Sequence, residues 1–359
     1  MPNLSGLYLH IPFCKGKCAY CDFYSCGADD TAIDEYLVAL MGETEKWGGL
    51  YDRPFDTVYI GGGTPSLLGG RIVPLMECVR KHFNISPDAE ITAEMNPTSA
   101  SREFLSASKT AGVNRLSIGV QSGIDRELKI LGRKHTVNDA KRTVYNAREL
   151  GFDNISLDLM LCLPESSNET LEKSLSFLVN LNPEHISAYM LKIEDNTPLS
   201  YRTDLVYPDE DSQAEQYLFM SEYLKGAGYQ HYEISNFARS GFESRHNLKY
   251  WRLKEYLGLG PSAHSFIEGK RFYYPRDLKD FIEKPKICDD GVGGGRDEEI
   301  MLALRLADGY DFSNYPDILP FLKKLSASGL GRLSGETFSL TSRGMAVSNS
   351  IITEILEKI

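Results

Sequence analysis

Apolar and β-branched residues form short runs that recur along the first half of the chain. Six of these runs are predicted to be strands: Leu7–Ile11, Thr57–Ile60, Glu90–Glu94, Arg115–Gly119, Asn154–Met160 and His185–Leu191. The segments between them have helical periodicity, because apolar residues such as Ile33, Leu37 and Leu40 recur every three or four positions. Alternating strands and helices predict an α/β fold, built as an open sheet or as a full or partial barrel, with the chemistry at the carboxyl ends of the strands.

The pattern changes after residue 191. A predicted helix at Ser212–Gly226 precedes a region rich in aromatic residues, and the glycine-rich segment Asp289–Arg296 is predicted to be a flexible link. Beyond it the pattern predicts two helices, a hairpin and a closing helix, at Asp297–Leu306, Phe321–Ser328, Arg332–Leu340 and Gly344–Leu356. This order resembles a winged-helix α+β module. We therefore divide the chain into residues 1–191, 192–288 and 297–359.

The composition is that of a folded protein without affinity for nucleic acid. The chain has 359 residues, of which 42% are hydrophobic and 25% charged, and its net charge is −11. Residues 297–359 carry six basic and nine acidic side chains, so even the winged-helix-like segment lacks the basic face that a phosphate backbone requires. With no leader pattern and no apolar run of about 18 residues, the protein is expected in the cytoplasm, with at most peripheral membrane contact.

Three of the seven cysteines lie within eight residues, directly after the first predicted strand. Cys14, Cys18 and Cys21 have the spacing C-x3-C-x2-C. In a reducing compartment, such crowding indicates metal ligation. Three thiolates can each bind one iron of a [4Fe–4S] cluster, which leaves the fourth iron open for a small molecule. The alternative is structural zinc, which prefers four ligands, and Cys26 has an unusual spacing for the fourth.

A C-x3-C-x2-C motif after the first strand resembles that of the radical S-adenosyl-L-methionine (SAM) superfamily. The resemblance implies a partial (β/α)6 barrel and a [4Fe–4S] cluster whose open iron binds the methionine part of SAM, so that an electron from the cluster can cleave it to a 5′-deoxyadenosyl radical. The turn Gly61–Thr64, after the second strand, matches the GGTP element of this superfamily. Its glycines are expected to let the backbone approach the ligand closely.

Polar side chains lie at or after the ends of the following strands, where a purely structural strand would not need them. They are Glu94, Gln121, Arg133 and Asp158. Taken together they favour a ligand pocket, with carboxylates for ribose hydroxyls and an arginine for a carboxylate. The alternative for each is a paired polar group of the core or a helix cap.

Longer stretches narrow the resemblance to the coproporphyrinogen dehydrogenase-like branch of the superfamily. Tyr8–Cys14 and Gly119–Ser122 are similar to the branch as a whole, and the region from Tyr232 to Phe266 is similar to its haem chaperones. Carried over by position, the residues implied to bind SAM are Tyr8, Tyr20, Gly62, Gly63, Thr64, Glu94, Gln121, Arg133 and Asp158.

Two features distinguish this chain from the oxidase of the branch. That enzyme has a further cysteine two residues after the third ligand, where this chain has Phe23. It also has a longer N-terminal arm, which is not expected here because 13 residues precede Cys14 in the sequence. A smaller departure is Cys162, where the family commonly has glycine, which puts the geometry of that loop in question.

The resemblance implies a haem-binding chaperone that delivers haem to haemoproteins of the respiratory chain, with a homodimer as a further expectation. The first alternative is an oxygen-independent coproporphyrinogen III oxidase of porphyrin biosynthesis. A third is a catalytically silent cluster protein that binds a partner.

The segment His246–Trp251 supplies the predicted haem ligand. An imidazole can bind haem iron, and in a helix Tyr250 would lie on the face of His246, with Trp251 beside it. The alternative is an ordinary packed histidine next to core aromatics. His264 is the strongest competing ligand.

Overall fold

The structure, a computed structural model, describes residues 4–27 and 29–359. Its contacts divide the chain into two compact units, each made of several segments. The first unit comprises Met1–Asp158, Lys192–Asp204 and Lys254–Gly293, and the second comprises Leu159–Leu191, Leu205–Leu253 and Gly294–Ile359. The three-part division made from the sequence stays a prediction.

The strands of the described residues are numbered in chain order. They are β1 (Ser5–Ile11), β2 (Phe55–Gly62), β3 (Ile85–Met95), β4 (Arg115–Gln121), β5 (Ile155–Leu161), β6 (His185–Met190), β7 (Gln230–Glu233), β8 (Asn236–Ala238), β9 (Tyr256–Leu259), β10 (His264–Ile267), β11 (Lys270–Tyr273), β12 (Cys288–Val292), β13 (Tyr310–Asp311), β14 (Gly331–Ser334) and β15 (Thr337–Leu340). The six strands predicted in the first half are all present and differ from prediction only at their ends.

The helices are numbered in the same way. They are α1 (Asp30–Gly48), α2 (Ile72–His82), α3 (Arg102–Thr110), α4 (Asp125–Ile130), α5 (Val137–Glu149), α6 (Asn168–Asn180), α7 (Glu210–Gly226), α8 (Arg245–Trp251), α9 (Leu278–Glu283), α10 (Arg296–Ala303), α11 (Leu319–Ala327), α12 (Ser342–Ala346) and α13 (Ser348–Leu356). Short 3-10 turns lie at Pro65–Arg71, Pro198–Tyr201 and Pro316–Ile318.

The first unit is built on a mainly parallel sheet, in the strand order β12-β11-β10-β9-β1-β2-β3-β4-β5. Strands β1 to β4 pair in parallel, and β9 pairs in parallel with β1 on its other side. All seven residues of β4 are buried, which is typical of a parallel strand covered on both faces. The predicted α/β class is confirmed, and because β1 to β4 run in parallel, their carboxyl ends lie along one edge of the sheet.

In the second unit, which includes residues 159–161 at the end of β5, the strand order is β5-β6-β8-β7, with β8 antiparallel to both β6 and β7. Its C-terminal part has a separate sheet in the order β13-β15-β14. The predicted order of helix, helix, hairpin and helix is present there, with β13 as an additional strand and with the closing helix divided at Val347. The likeness to a winged helix stays a prediction.

The prediction that the glycine-rich segment Asp289–Arg296 is a flexible link is wrong in part. Residues Cys288–Val292 form β12, which pairs antiparallel with β11. The strand lies at the edge of the sheet and most of its side chains are exposed. It is held in place by backbone hydrogen bonds to β11, which the composition of the segment does not reveal.

The loop after β5 contains the cysteine that departs from the family pattern. Cys162 has φ 58°, in the left-handed region where glycine is favoured, and its side chain is buried. Its backbone N–H donates to Gln216 Oε1 at 3.2 Å. The loop therefore keeps the geometry of a glycine while carrying a cysteine.

No helix among the described residues is both long enough and apolar enough to cross a bilayer.

Candidate cluster and ligand site

The cysteine loop, residues 13–26, leaves the carboxyl end of β1 and closes upon itself. Cys26 N–H donates to Pro12 O at 2.7 Å, and Cys14 N–H donates to Cys26 O at 2.9 Å. These two bonds fix the two ends of the loop beside each other. The three cysteines of the motif are all partly exposed within this short closed segment.

The thiols of the loop face polar groups of the turn after β2 and of the segment after α4. Cys14 Sγ lies 3.3 Å from Thr64 Oγ1, and Arg133 Nη1 donates to Cys18 Sγ at 3.4 Å. The pKa of Cys21 is raised, first by burial and then by the nearby thiols of Cys18 and Cys14. The three cysteines thus lie within electrostatic reach of one another.

Among the described residues, no three His, Cys, Asp or Glu side chains are grouped as a single metal ion requires. A [4Fe–4S] cluster poses a different requirement, because each thiolate binds its own iron. The fit of the loop to a cluster therefore rests on its thiols and on the groups that line them.

The glycine turn after β2 packs against the cysteine loop. A Cβ at Gly63 would lie 2.7 Å from Phe13 O, and one at Gly62, where φ is 110°, would lie 2.6 Å from the ring of His10. The expectation that these glycines make room for the ligand is thus incomplete. Their missing side chains first make room for the protein's own backbone and for the His10 ring. A bulky residue at Gly62 would displace His10 before it met any ligand.

Glu94, at the end of β3, is held by the turn and by a strand neighbour. Tyr59 Oη donates to Oε1 at 2.7 Å, and Gly62 N–H donates to Oε2 at 3.1 Å. Burial raises the pKa of this carboxyl, and both hydrogen bonds oppose the shift. Glu94 is therefore a positioned acceptor in the site.

Tyr8 belongs to the same group of side chains through His10. The Tyr8 hydroxyl lies 3.0 Å from His10 Nδ1, and His10 Nε2 lies 3.2 Å from Tyr24 O. Burial lowers the pKa of His10 to about 4, so its ring is neutral near neutral pH. His10 was not predicted as a site residue, although its position two residues after Tyr8 on β1 puts both side chains on one face.

Asp158 is the second carboxyl of the site. Ser117 Oγ donates to Oδ1 at 3.1 Å. Burial and the charge of Glu94 raise the pKa of Asp158 to about 7, while Arg115 and Arg133 oppose the shift. Ser117 was not predicted either, although a polar residue in the middle of a buried strand is a signal for a site residue.

Arg133 connects the cysteine loop with the end of β4. Nη2 donates to Gly119 O at 2.6 Å, and Nη1 lies 3.5 Å from the Tyr20 hydroxyl. Gln121, the last residue of β4, has φ 71°, a left-handed conformation that is uncommon without glycine. Burial raises the pKa of Tyr20, so its hydroxyl stays protonated.

The residues predicted for SAM therefore all lie in the first unit, and most of them lie at or after the carboxyl ends of its strands, whereas Tyr8 and Asp158 lie within β1 and β5. The Nε of Arg133 is buried and has no partner among the described residues. An arginine with a buried, unpartnered Nε–H, near the Asp158 carboxyl of raised pKa, fits a ligand that carries both amine and carboxylate groups. The residues present fit the cluster and SAM.

The predicted haem residues lie in different units. His246 is in α8 of the second unit, only 1% exposed, and its Nε2 lies 2.8 Å from the Tyr250 hydroxyl. The predicted shared face of His246 and Tyr250 is confirmed, whereas Trp251 packs on the guanidinium of Arg305, 4.8 Å from the ring centre. His264 is in the first unit with a side chain that is 57% exposed.

The chain is similar to known proteins over nearly its whole length. Residues 8–178 match the family model of the radical SAM superfamily. The chain is 35% identical to the heme chaperone HemW of Mycobacterium tuberculosis, covering 98% of this chain and 94% of that protein, and 35% identical to the heme chaperone HemW of Bacillus subtilis, covering 98% and 99%. Coproporphyrinogen III oxidase (HemN) from Escherichia coli, a radical SAM enzyme, has a similar fold, with a TM-score of 0.83 at 24% identity over 99% of this chain and 90% of that one. The chain belongs to the radical SAM superfamily and, within it, to the family of the heme chaperones named HemW.

Proposed function

We propose that this protein is a haem-binding chaperone on a radical SAM scaffold, and that it passes haem to haemoproteins of the respiratory chain. The observation that carries the proposal is the identity to heme chaperones along almost the entire chain. Phe23 adds support, because it stands where the oxidase of the branch has a cysteine and its side chain is 70% exposed beside the third cysteine of the loop.

In this proposal, Cys14, Cys18 and Cys21 hold the [4Fe–4S] cluster, and the polar groups around them hold SAM. When bound, the cluster and SAM supply one-electron chemistry. The chain's own residues orient these groups. Arg133 offers its free Nε–H to a carboxylate, and Thr64 lines the loop beside Cys14.

The two carboxyls have different roles. Glu94 already accepts two hydrogen bonds from the protein, so it positions the glycine turn. Asp158, with a pKa of about 7, is partly protonated at neutral pH and can donate a hydrogen bond to a ligand oxygen as well as accept one. Tyr8, Tyr20 and Gln121 complete the lining.

We propose His246 as a haem ligand that requires a local opening. In the structure its Nε2 is taken by the Tyr250 hydroxyl and its side chain is buried. Iron can therefore reach this nitrogen only after the bond to Tyr250 has broken. The gain of an iron–imidazole bond offsets the loss of one hydrogen bond, which contributes about 1 kcal/mol.

The test is haem titration of the full chain after anaerobic reconstitution of the cluster, followed by transfer to an apo-haemoprotein. We expect about one haem per chain, seen as a shifted Soret band, and its loss from this protein as the acceptor gains it. A wild-type protein that binds no haem would overturn the proposal. A homodimer and peripheral membrane contact, also proposed, are checked by light scattering and vesicle sedimentation.

A second candidate function is the oxygen-independent oxidation of coproporphyrinogen III. The observation behind it is the fold that this chain shares with HemN. At 24% identity, this similarity shows the fold and does not show the activity. The two functions separate in one anaerobic assay with SAM and a reductant. Conversion of coproporphyrinogen III to protoporphyrinogen IX would favour the oxidase, and a silent assay together with haem binding favours the chaperone.

A further inference from the structure

The seven histidines of the chain differ in whether a ring nitrogen is available to a metal. Five have a ring nitrogen within hydrogen-bond distance of a protein group: His10, His135, His185, His231 and His246. Among the described residues, only His82 and His264 have a ring without such a bond. An imidazole whose ring nitrogen is exposed and free can bind haem iron directly.

His264 lies at the edge of the first unit's sheet in a defined setting. It pairs with Tyr273 on β11, which in turn pairs with Cys288 on β12. The rings of His264 and Tyr273 stack, with centroids 5.2 Å apart and planes 23° apart. Asp290, two residues after Cys288 and thus on the same face of β12, brings Oδ2 to 3.7 Å from His264 Nδ1.

This setting prepares one nitrogen of the ring for iron. A carboxylate near Nδ1 favours the tautomer with its proton on Nδ1, which leaves the lone pair of Nε2 free. The stacked Tyr273 ring fixes the orientation of the imidazole. His82 offers a free ring too, but no ring stack and no carboxylate contact accompany it in the described structure.

We propose that His264 is an axial ligand through which the protein takes up haem iron at its surface, with Asp290 and Tyr273 as positioning residues. The inference rests on the proposed haem-binding function and deepens it by naming a second ligand site. His264 is 57% exposed, whereas His246 is 1% exposed and hydrogen-bonded. Haem iron can therefore reach the exposed His264 ring without first breaking a hydrogen bond of the fold.

The experiment is a titration of the full chain with ferric haem, comparing wild type with His264→Ala and with His82→Ala as the matched control. We expect His264→Ala to weaken haem binding at least about tenfold and to lose the imidazole-bound Soret band. His82→Ala should bind as wild type does. His264→Gly with added imidazole should regain the imidazole-bound spectrum, which shows that the ligand and not the fold was lost.

Asp290→Asn tests the positioning role with a separate readout. Resonance Raman spectra of the ferrous complex should show a lower iron–histidine stretching frequency in this variant. The reason is that an amide oxygen accepts a proton from Nδ1–H less strongly than a carboxylate does, so the imidazole is a weaker ligand. A frequency identical to that of wild type would overturn the role of Asp290.

The remaining outcomes separate the inference from the proposed function. If wild type binds haem and His264→Ala binds it equally well, the inference is wrong and the chaperone proposal stands. The inference is also wrong, and the chaperone proposal also stands, if His246→Ala abolishes haem binding while His264→Ala does not. If wild type binds no haem, the proposed function itself fails.

Discussion

Arg133 is the side chain that ties the candidate site together. It reaches the thiol of Cys18, the hydroxyl of Tyr20 and the carbonyl of Gly119, which come from the cysteine loop and from β4. A planar guanidinium with several fixed donors can make all of these contacts and keep Nε–H free. A lysine would carry the charge without this geometry.

Asp158 gives a pH dependence that can be measured. Its pKa is about 7 in the folded protein because of burial and the charge of Glu94, against an ordinary value of 3.8. The folded protein therefore keeps a proton that the unfolded chain releases above about pH 4. The free energy of unfolding should fall as pH rises to 7, by up to about 1.4 kcal/mol per pH unit, and this contribution should stay constant at higher pH.

The measurement is urea unfolding of the apoprotein between pH 5 and pH 8, for wild type and Asp158→Asn. Asparagine does not titrate. The free energy of unfolding of Asp158→Asn should therefore increase relative to that of wild type as pH rises to 7. Asp153→Asn, a change at an exposed aspartate, is the control. A constant difference between wild type and Asp158→Asn across this range would contradict the prediction.

Tyr250→Phe tests the opening proposed for His246. Removal of the hydroxyl leaves Nε2 of His246 without its 2.8 Å partner. If this nitrogen binds haem iron, the variant should bind haem about fivefold more tightly, because a competing bond of about 1 kcal/mol is gone. Tyr145→Phe, at a tyrosine 53% exposed on α5, is the control in the same haem titration. Equal affinities for Tyr250→Phe and wild type would argue that His246 is a packed core histidine.

At the scale of elements, the turn after β2 and the end of β1 form one close-packed unit. Gly63 N–H donates to Ile11 O at 2.8 Å, and a Cβ at Gly63 would meet that same oxygen at 2.8 Å. This contact brings the glycine turn beside the cysteine loop. The position of Thr64 next to Cys14 follows from it.

Gly63→Ala should therefore destabilise the apoprotein by about 1–3 kcal/mol, since the new methyl forces two backbones apart. Gly42→Ala is the matched control, because a Cβ there has no atom within 4 Å and the residue lies inside α1. It should stabilise the protein by up to about 1 kcal/mol through helix propensity. Chemical denaturation of both variants measures the two effects, and a neutral Gly63→Ala would show that the turn can move away from β1.

At the scale of the whole molecule, all residues proposed for the cluster and SAM lie in the first unit, and His246 lies in the second.

The cysteines should differ in whether the iron content of the protein depends on them. Anaerobic reconstitution should give about four irons and four sulfides per chain, and replacement of Cys14, Cys18 or Cys21 by Ala should abolish this. Cys78→Ala, at a cysteine of α2 whose thiol faces Met41 O, should leave the iron content unchanged. Stoichiometric zinc without sulfide in the anaerobically purified protein would sink the cluster assignment.

Features that depend on the order of neighbouring residues could be predicted from the sequence alone. The spacing of Cys14, Cys18 and Cys21, the GGTP turn and the strand–helix alternation are all properties of neighbouring residues, and they were sufficient to predict the α/β class and the superfamily. The six strands were found because buried parallel strands are apolar along their length. The strand β12 was missed because an exposed edge strand leaves no such pattern.

Only the tertiary structure decided what the chosen side chains contact. Sequence indicated His246 and Tyr250 on one face, but not that their contact occupies the nitrogen that iron would need. Nor could it show that Gly62 makes room for His10, or that Asp158 is held near a pKa of 7 by burial beside Glu94. These features depend on the register of strands that are distant in the chain, and register follows from how the whole sheet buries its side chains.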